Sequence, residues 1–181
     1  MIKTNSEIDF VKTPKYALLV IDVQKGLFNK STPIYDQDNF LKNLNNLIGK
    51  ARKKNILIIF IQHSNEKVLV FGTDDWSIHP HLKIEPSDVI VHKQQYNSFE
   101  ETNLQEILDS HQINSLVITG LVTHSCVKAT CQGALELGYK VILVKDGHSS
   151  YSKDAADLII KWNQKLFEMG AELQLSADVT F

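Results

Sequence analysis

The chain has 181 residues, 43% of them apolar and 22% charged, the make-up of a soluble globular domain with a sizeable core rather than a disordered tail or a fibre. With 19 basic against 21 acidic residues the formal net charge is −2, which argues against nucleic acid or an anionic membrane as partner. The longest apolar runs, 16–21 and 56–61, fall far short of the ~20 residues of a membrane span, the first residues lack a signal-type apolar segment, and only two cysteines occur, which excludes a disulfide framework. The expectation is a cytoplasmic α/β protein forming a single domain over residues 1–181.

Residues 1–14 read as a loosely held lead-in that ends at Pro14. A β-branched apolar run over 17–22 is the first strand, followed by a helix on which Phe40, Leu41, Leu44, Leu47, Ile48 and Ala51 share one face,. A second strand covers 56–62. Residues 63–88 then lack clear periodicity but carry Phe71, Trp76, His79 and His81. A connection this long is ordinarily functional or mobile, and it leaves a strand at its carboxyl end, where open α/β sheets bind ligands. An aromatic-bearing wall or lid for a small-molecule pocket is therefore expected there.

A third strand covers 89–92. Thr102 and Gln105 have the spacing of a capping box, opening a helix that buries Leu104, Ile107 and Leu108,. The fourth strand is 116–119, with a helix from near His124 to Gly138, and the fifth is 140–144. The last helix enters at Ser152, carries Leu158, Ile159, Trp162, Leu166 and Met169 on one stripe and closes at Gly170,. A sixth strand is 173–175. Strands apolar on both faces, alternating with helices, predict a three-layer α/β/α sandwich around a parallel sheet with right-handed crossovers.

Three strands end on residues capable of chemistry. Asp22 terminates the run Ala17-Leu18-Leu19-Val20-Ile21, where a carboxylate is costly to bury without a partner. Lys93 ends the third strand in the same way. Cys126 follows the fourth strand through a turn into a helix, where backbone N–H groups and the helix dipole favour thiolate over thiol. Taken singly, each has a plain structural explanation: a loop cap, a solvated lysine, a small buried residue. Together they place an acid, a cation and a thiol at strand exits that this fold class gathers along one edge, and an Asp can accept a thiol proton while a Lys stabilises the charge. Cys131 fits the buried role and is poorly placed for a disulfide with Cys126.

Ala17-Leu18-Leu19-Val20-Ile21-Asp22-Val23-Gln24, then Val91-His92-Lys93 running on to Asn97-Ser98-Phe99, then Gly120-Leu121-Val122-Thr123-His124-Ser125-Cys126-Val127 resemble, in this order, the isochorismatase-like cysteine hydrolases, a group that includes nicotinamidases, N-carbamoylsarcosine amidases and related amidohydrolases. The resemblance implies a Rossmann-like, six-stranded parallel sheet of order 3-2-1-4-5-6 and an Asp22, Lys93, Cys126 triad. It further implies a cis peptide between Leu121 and Val122, and an oxyanion hole from the backbone N–H groups of Val122 and Cys126. The implied reaction is hydrolysis of a small-molecule amide or related C–N bond through a thioester, without a cofactor, in a homodimer or homotetramer.

Candidate pocket residues are Gln24 and Phe28 after the first strand, Trp76 and His79 on the long connection, Tyr96 and Phe99 after Lys93, and Thr123 before the nucleophile. Phe28 and Phe99 fit the core equally well, and Tyr151 is read as packing. Nicotinamidase-type relatives carry an Asp-x-His pair after the second strand. Here Ile61 stands two before His63, so no metal is expected, although His63, His79 and His81 are the residues to watch. His124 is too close in sequence to face Cys126 as a base, and His92 points away from Lys93. Rival readings are isochorismatase-type cleavage of another bond and a catalytically silent binding protein. A thiol redox role ranks last, because no Cys-x-x-Cys is present.

Overall fold

The computed structural model describes residues 13–181, so the lead-in expected over 1–14 lies almost wholly outside the described residues. The elements run β1 (Tyr16–Ile21), α1 (Lys25–Phe28), α2 (Gln37–Lys53), β2 (Leu57–His63), β3 (Val89–Lys93), α3 (Leu104–Ser110), β4 (Ser115–Leu121), α4 (Lys128–Glu136), β5 (Lys140–Ser149), α5 (Ala155–Glu168) and β6 (Glu172–Gln174). All strand pairs are parallel, in the order β3-β2-β1-β4-β5-β6. No described helix is long and apolar enough to cross a membrane.

The alternation of side chains along a strand divides β1 between two cores. Leu18 and Val20 join Phe40, Leu44, Leu47 and Ile48 of α2 on one face. Ala17, Leu19 and Ile21 join Leu104 and Leu108 of α3, Cys131 of α4 and Leu166 of α5 on the other. Helices therefore cover both faces, and the central strands, buried on both sides, read as unbroken apolar runs. β3 is an edge strand, which is why Ile90 and His92 are exposed while Val91 and Lys93 are buried.

Three local readings need correction. The helix after Thr102 starts at Leu104 with Asn103 at its N-cap and no side-chain cap bond; Thr102 Oγ1 accepts from the Leu104 N–H and donates to the Ser98 carbonyl instead. On α5, Leu166 is buried, Leu158, Ile159 and Trp162 are half-buried, and Met169 is exposed. β5 continues past Val144 through a polar stretch to Ser149, because pairing with β4 resumes after an irregularity, setting Gly120 against His148 and Leu121 against Ser149.

Close approach of β1 and β4 depends on one glycine. Gly120 sits at φ +119, and a Cβ there would meet the Ile21 carbonyl oxygen and lie 2.6 Å from the Ile21 nitrogen. No L side chain fits without moving the strand whose next residue is Asp22.

Candidate active site

β1 delivers Asp22 to the exit edge in the left-handed region, φ 51, with its N–H on the Ile61 carbonyl of β2 at 2.9 Å. Asp tolerates that backbone better than most residues. Lys93 ends β3, two strands away, a gap of roughly 9–10 Å that a lysine stem bridges and a shorter side chain does not. Its Nζ reaches Asp22 Oδ2 at 2.9 Å, with the two side chains 0% and 3% exposed. Cys126 lies two residues before α4, in an irregular turn, Thr123–Val127, in which Ser125 departs from helical geometry and the Ser125 N–H bonds the Val122 carbonyl. The Leu121–Val122 peptide bond is cis. A carboxylate oxygen of Asp22, a ring nitrogen of His63 and the Cys126 sulfur lie within 4.8 Å of one another.

The ionisation expected for Cys126 is corrected. Burial first, and the Asp22 charge second, push its thiol up to about 12, against the pull of Lys93. The helix-start argument leaves out burial of the sulfur and the adjacent carboxylate, both of which favour the thiol,. The resting sulfur is a thiol beside a carboxylate whose Oδ1 is buried with no hydrogen-bond partner. Cys131 is fully buried and its thiol is likewise pushed up, by burial; neither cysteine is in a disulfide.

A cavity of about 480 Å³ opens on this group, bounded by Asp22, His63, Val122, Cys126, Tyr96 and Tyr151, with Leu27 and Leu69 as an aliphatic patch and Asn65, Gln94 and Gln95 toward the rim. Of the pocket candidates Tyr96 is on this lining, 67% exposed. The other pocket candidates are not among the lining residues. The Gln24 amide is buried and holds the His63 N–H and the carbonyls of His63 and Trp76. Phe28 stacks on His79 at 4.2 Å between ring centres. Trp76 donates to Ser64 Oγ and packs on the α2 core and His92. Phe99 stacks on Tyr139 in the opposite core. The Thr123 hydroxyl is buried against His148 Nδ1 and the Ser149 carbonyl. Of these, Gln24 and Trp76 hold the chain at His63 and Ser64, since polar and aromatic residues near a site serve its scaffold as readily as its lining. Tyr151, read as packing, does border the cavity.

His63 is the residue that sequence reasoning weighed only as a possible metal ligand. Part of the signal is in the sequence, since it ends β2 as Asp22 follows β1; its register partner, Lys93, emerges only in the folded sheet. Burial and the neighbouring Lys93 charge lower its pKa. As a metal site the group fits poorly, since the Lys93 ammonium already holds Asp22 Oδ2 and lies 3.2 Å from His63 Nδ1; a cation would meet like charge. His79 and His81 contact each other and join no cluster of three ligating groups among the described residues.

Comparison with known proteins agrees with this architecture. The isochorismatase domain family model matches residues 16–178. A streptothricin hydrolase of Streptomyces noursei is 30% identical over 142 residues, 77% of this chain but 51% of that protein, so the chain spans about half the length of that relative. Nicotinamidase 3 of Arabidopsis thaliana is 25% identical over 154 residues, 76% of this chain and 75% of its own. A crystal structure of an isochorismatase family protein superposes with a TM-score of 0.84 at 30% identity, covering 88% of this chain and 98% of that one.

Proposed function

The chain belongs to the isochorismatase family, and from that premise we propose that it is a cysteine hydrolase that opens a small-molecule amide or related C–N bond through a thioester on Cys126. The observation that carries this reading is a buried thiol and a buried carboxylate lining one cavity at the strand exits, with a fully buried ammonium paired to that carboxylate. The likeness to a nicotinamidase favours a C–N bond over other hydrolysable bonds.

The electrostatics suggest the order of events. A resting thiolate would put a second buried negative charge beside Asp22, so the proton stays on sulfur until substrate arrives. As the sulfur attacks the carbonyl carbon, its proton passes to Asp22 Oδ1, the oxygen without a partner, while Lys93 remains on Oδ2. Negative charge then moves to the substrate oxygen, where the backbone N–H groups of Val122 and Cys126 stabilise it, each donor lowering the barrier by about 3–4 kcal/mol. Protonated Asp22 gives its proton to the departing amine or ammonia. Water, deprotonated by the same carboxylate, then hydrolyses the thioester.

The test is an ammonia- and amine-release screen over small amides, carbamoyl compounds and lactams, run on the parental protein and on Cys126→Ala. The variant is expected to fold and to lose turnover of every compound the parent accepts. Hydrolysis by the variant at the parental rate overturns the assignment.

A further inference from the structure

The hydrogen bonds around Lys93 fix a proton that no diffraction experiment at ordinary resolution would locate. A lysine ammonium has three N–H donors and no acceptor. Lys93 Nζ has three neighbours that accept: Asp22 Oδ2 at 2.9 Å, the Gln95 carbonyl at 3.0 Å and His63 Nδ1 at 3.2 Å. The third contact is a hydrogen bond only if Nδ1 offers a lone pair. The ring is then neutral, and its one proton resides on Nε2. The ring's other near neighbour among the described residues is the Gln95 carbonyl, which already accepts from Lys93 Nζ at 3.0 Å; the ring lines the cavity, with one of its nitrogens within 4.8 Å of both the Cys126 sulfur and an Asp22 oxygen.

We propose that His63 is a substrate-binding residue whose Nε2–H donates a hydrogen bond to an acceptor atom of the substrate beside the bond that is cleaved. This rests on the hydrolase reading of the cavity. The ring is held for that role from two directions, since the backbone N–H and carbonyl of His63 are both bound by the Gln24 amide and the ring itself by Lys93. A fixed donor needs no reorganisation when a ligand enters. Asn65, at the rim, repeats the polarity. Its Oδ1 accepts the N–H groups of Lys67, Val68 and Leu69, which leaves its amide N–H donors unpaired among the described residues. This wall thus selects ligands that present acceptors to it, such as a second carbonyl or a ring nitrogen next to the scissile carbonyl, and it discriminates against analogues with C–H at that position.

Two measurements test this. In protein labelled with ¹⁵N at histidine, the His63 ring signals, identified by their absence in His63→Gln, should show an unprotonated Nδ1 and a protonated Nε2 at neutral pH. A proton on Nδ1, or on both nitrogens, overturns the proposal. Alkylation of Cys126 is then followed by mass spectrometry with iodoacetamide, whose carbonyl can accept, and with iodoethane, which has no acceptor. His63→Phe should lower the iodoacetamide-to-iodoethane rate ratio roughly threefold to tenfold, the value of one neutral hydrogen bond, and His63→Gln, which keeps an N–H donor, should retain most of that ratio. A ratio unchanged in His63→Phe, or both rates falling together, overturns it, because His63 would then act on the thiol or not at all. If Cys126 of the parental protein resists both reagents, as a buried resting thiol does, the ring-nitrogen signals alone decide the donor.

Discussion

Replacing Lys93 by Met keeps the length of the stem and removes only the charge and its donors, so it isolates what the buried ion pair contributes. At 2.9 Å and an effective dielectric of about 20, the direct attraction is on the order of 6 kcal/mol. Desolvation of both groups offsets most of that. The measurable loss comes from leaving the Asp22 carboxylate buried without its cation, about 3–5 kcal/mol. For a protein of this size that corresponds to a fall in Tm of about 6–20 °C. The assay is urea unfolding at neutral pH, followed by tryptophan fluorescence, on the parent, Lys93→Met, Asp22→Asn and the double variant. Once Asn replaces Asp22 no carboxylate is stranded, so the double variant should be more stable than the sum of the single losses predicts by at least about 1 kcal/mol. A Lys93→Met protein as stable as the parent, or strictly additive losses around the cycle, would refute the reasoning.

The Cys126 thiol, pushed up to about 12, should show no thiolate absorbance between neutral pH and pH 9 when the spectrum of Cys126→Ala is subtracted; a thiolate band emerging in that window contradicts the resting-thiol mechanism. His148, between Thr123 Oγ1 and Asn163 Oδ1, is lowered by burial from 6.5 to about 4. The unfolded chain therefore takes up a proton that the folded one refuses, and stability is lost as pH falls from 6.5 toward 4. The loss is roughly 3 kcal/mol, and urea unfolding of His148→Gln across that range should show a correspondingly flatter dependence; an unchanged slope assigns the effect elsewhere. Gly120→Ala should lose more than about 4 kcal/mol or fail to fold, because its Cβ meets β1 backbone rather than a movable side chain; near-parental expression and Tm would refute that contact.

What could be read in advance follows from how far each residue type constrains its surroundings. An apolar run that stops at a polar residue marks a buried strand exit, and this located Asp22 and Lys93 without knowledge of strand order. His63 carries the same mark, yet its meaning depends on β2 lying between β1 and β3, which an alternating pattern does not encode. The ionisation of Cys126 was misread because a helix start is a local argument, whereas burial and the charge of Asp22 are products of the tertiary fold. Phe99 and Trp76 could not be placed from type alone, since an aromatic ring next to a site is stabilised equally by a ligand or by a core. Tyr151 was discounted for that reason, although the end of β5 brings it to the cavity.

Gln24 has a consequence for how this protein can change. One amide side chain holds main-chain atoms of β2 and of the segment that follows, so the mouth is braced by backbone there and cannot be widened by trimming a side chain. New preferences for ligand shape would have to come through Tyr96, Tyr151 and Asn65, which border the opening and whose replacement leaves that brace in place. Breadth of diet is thus left to those side chains, while the brace beneath them is fixed by the path of the chain.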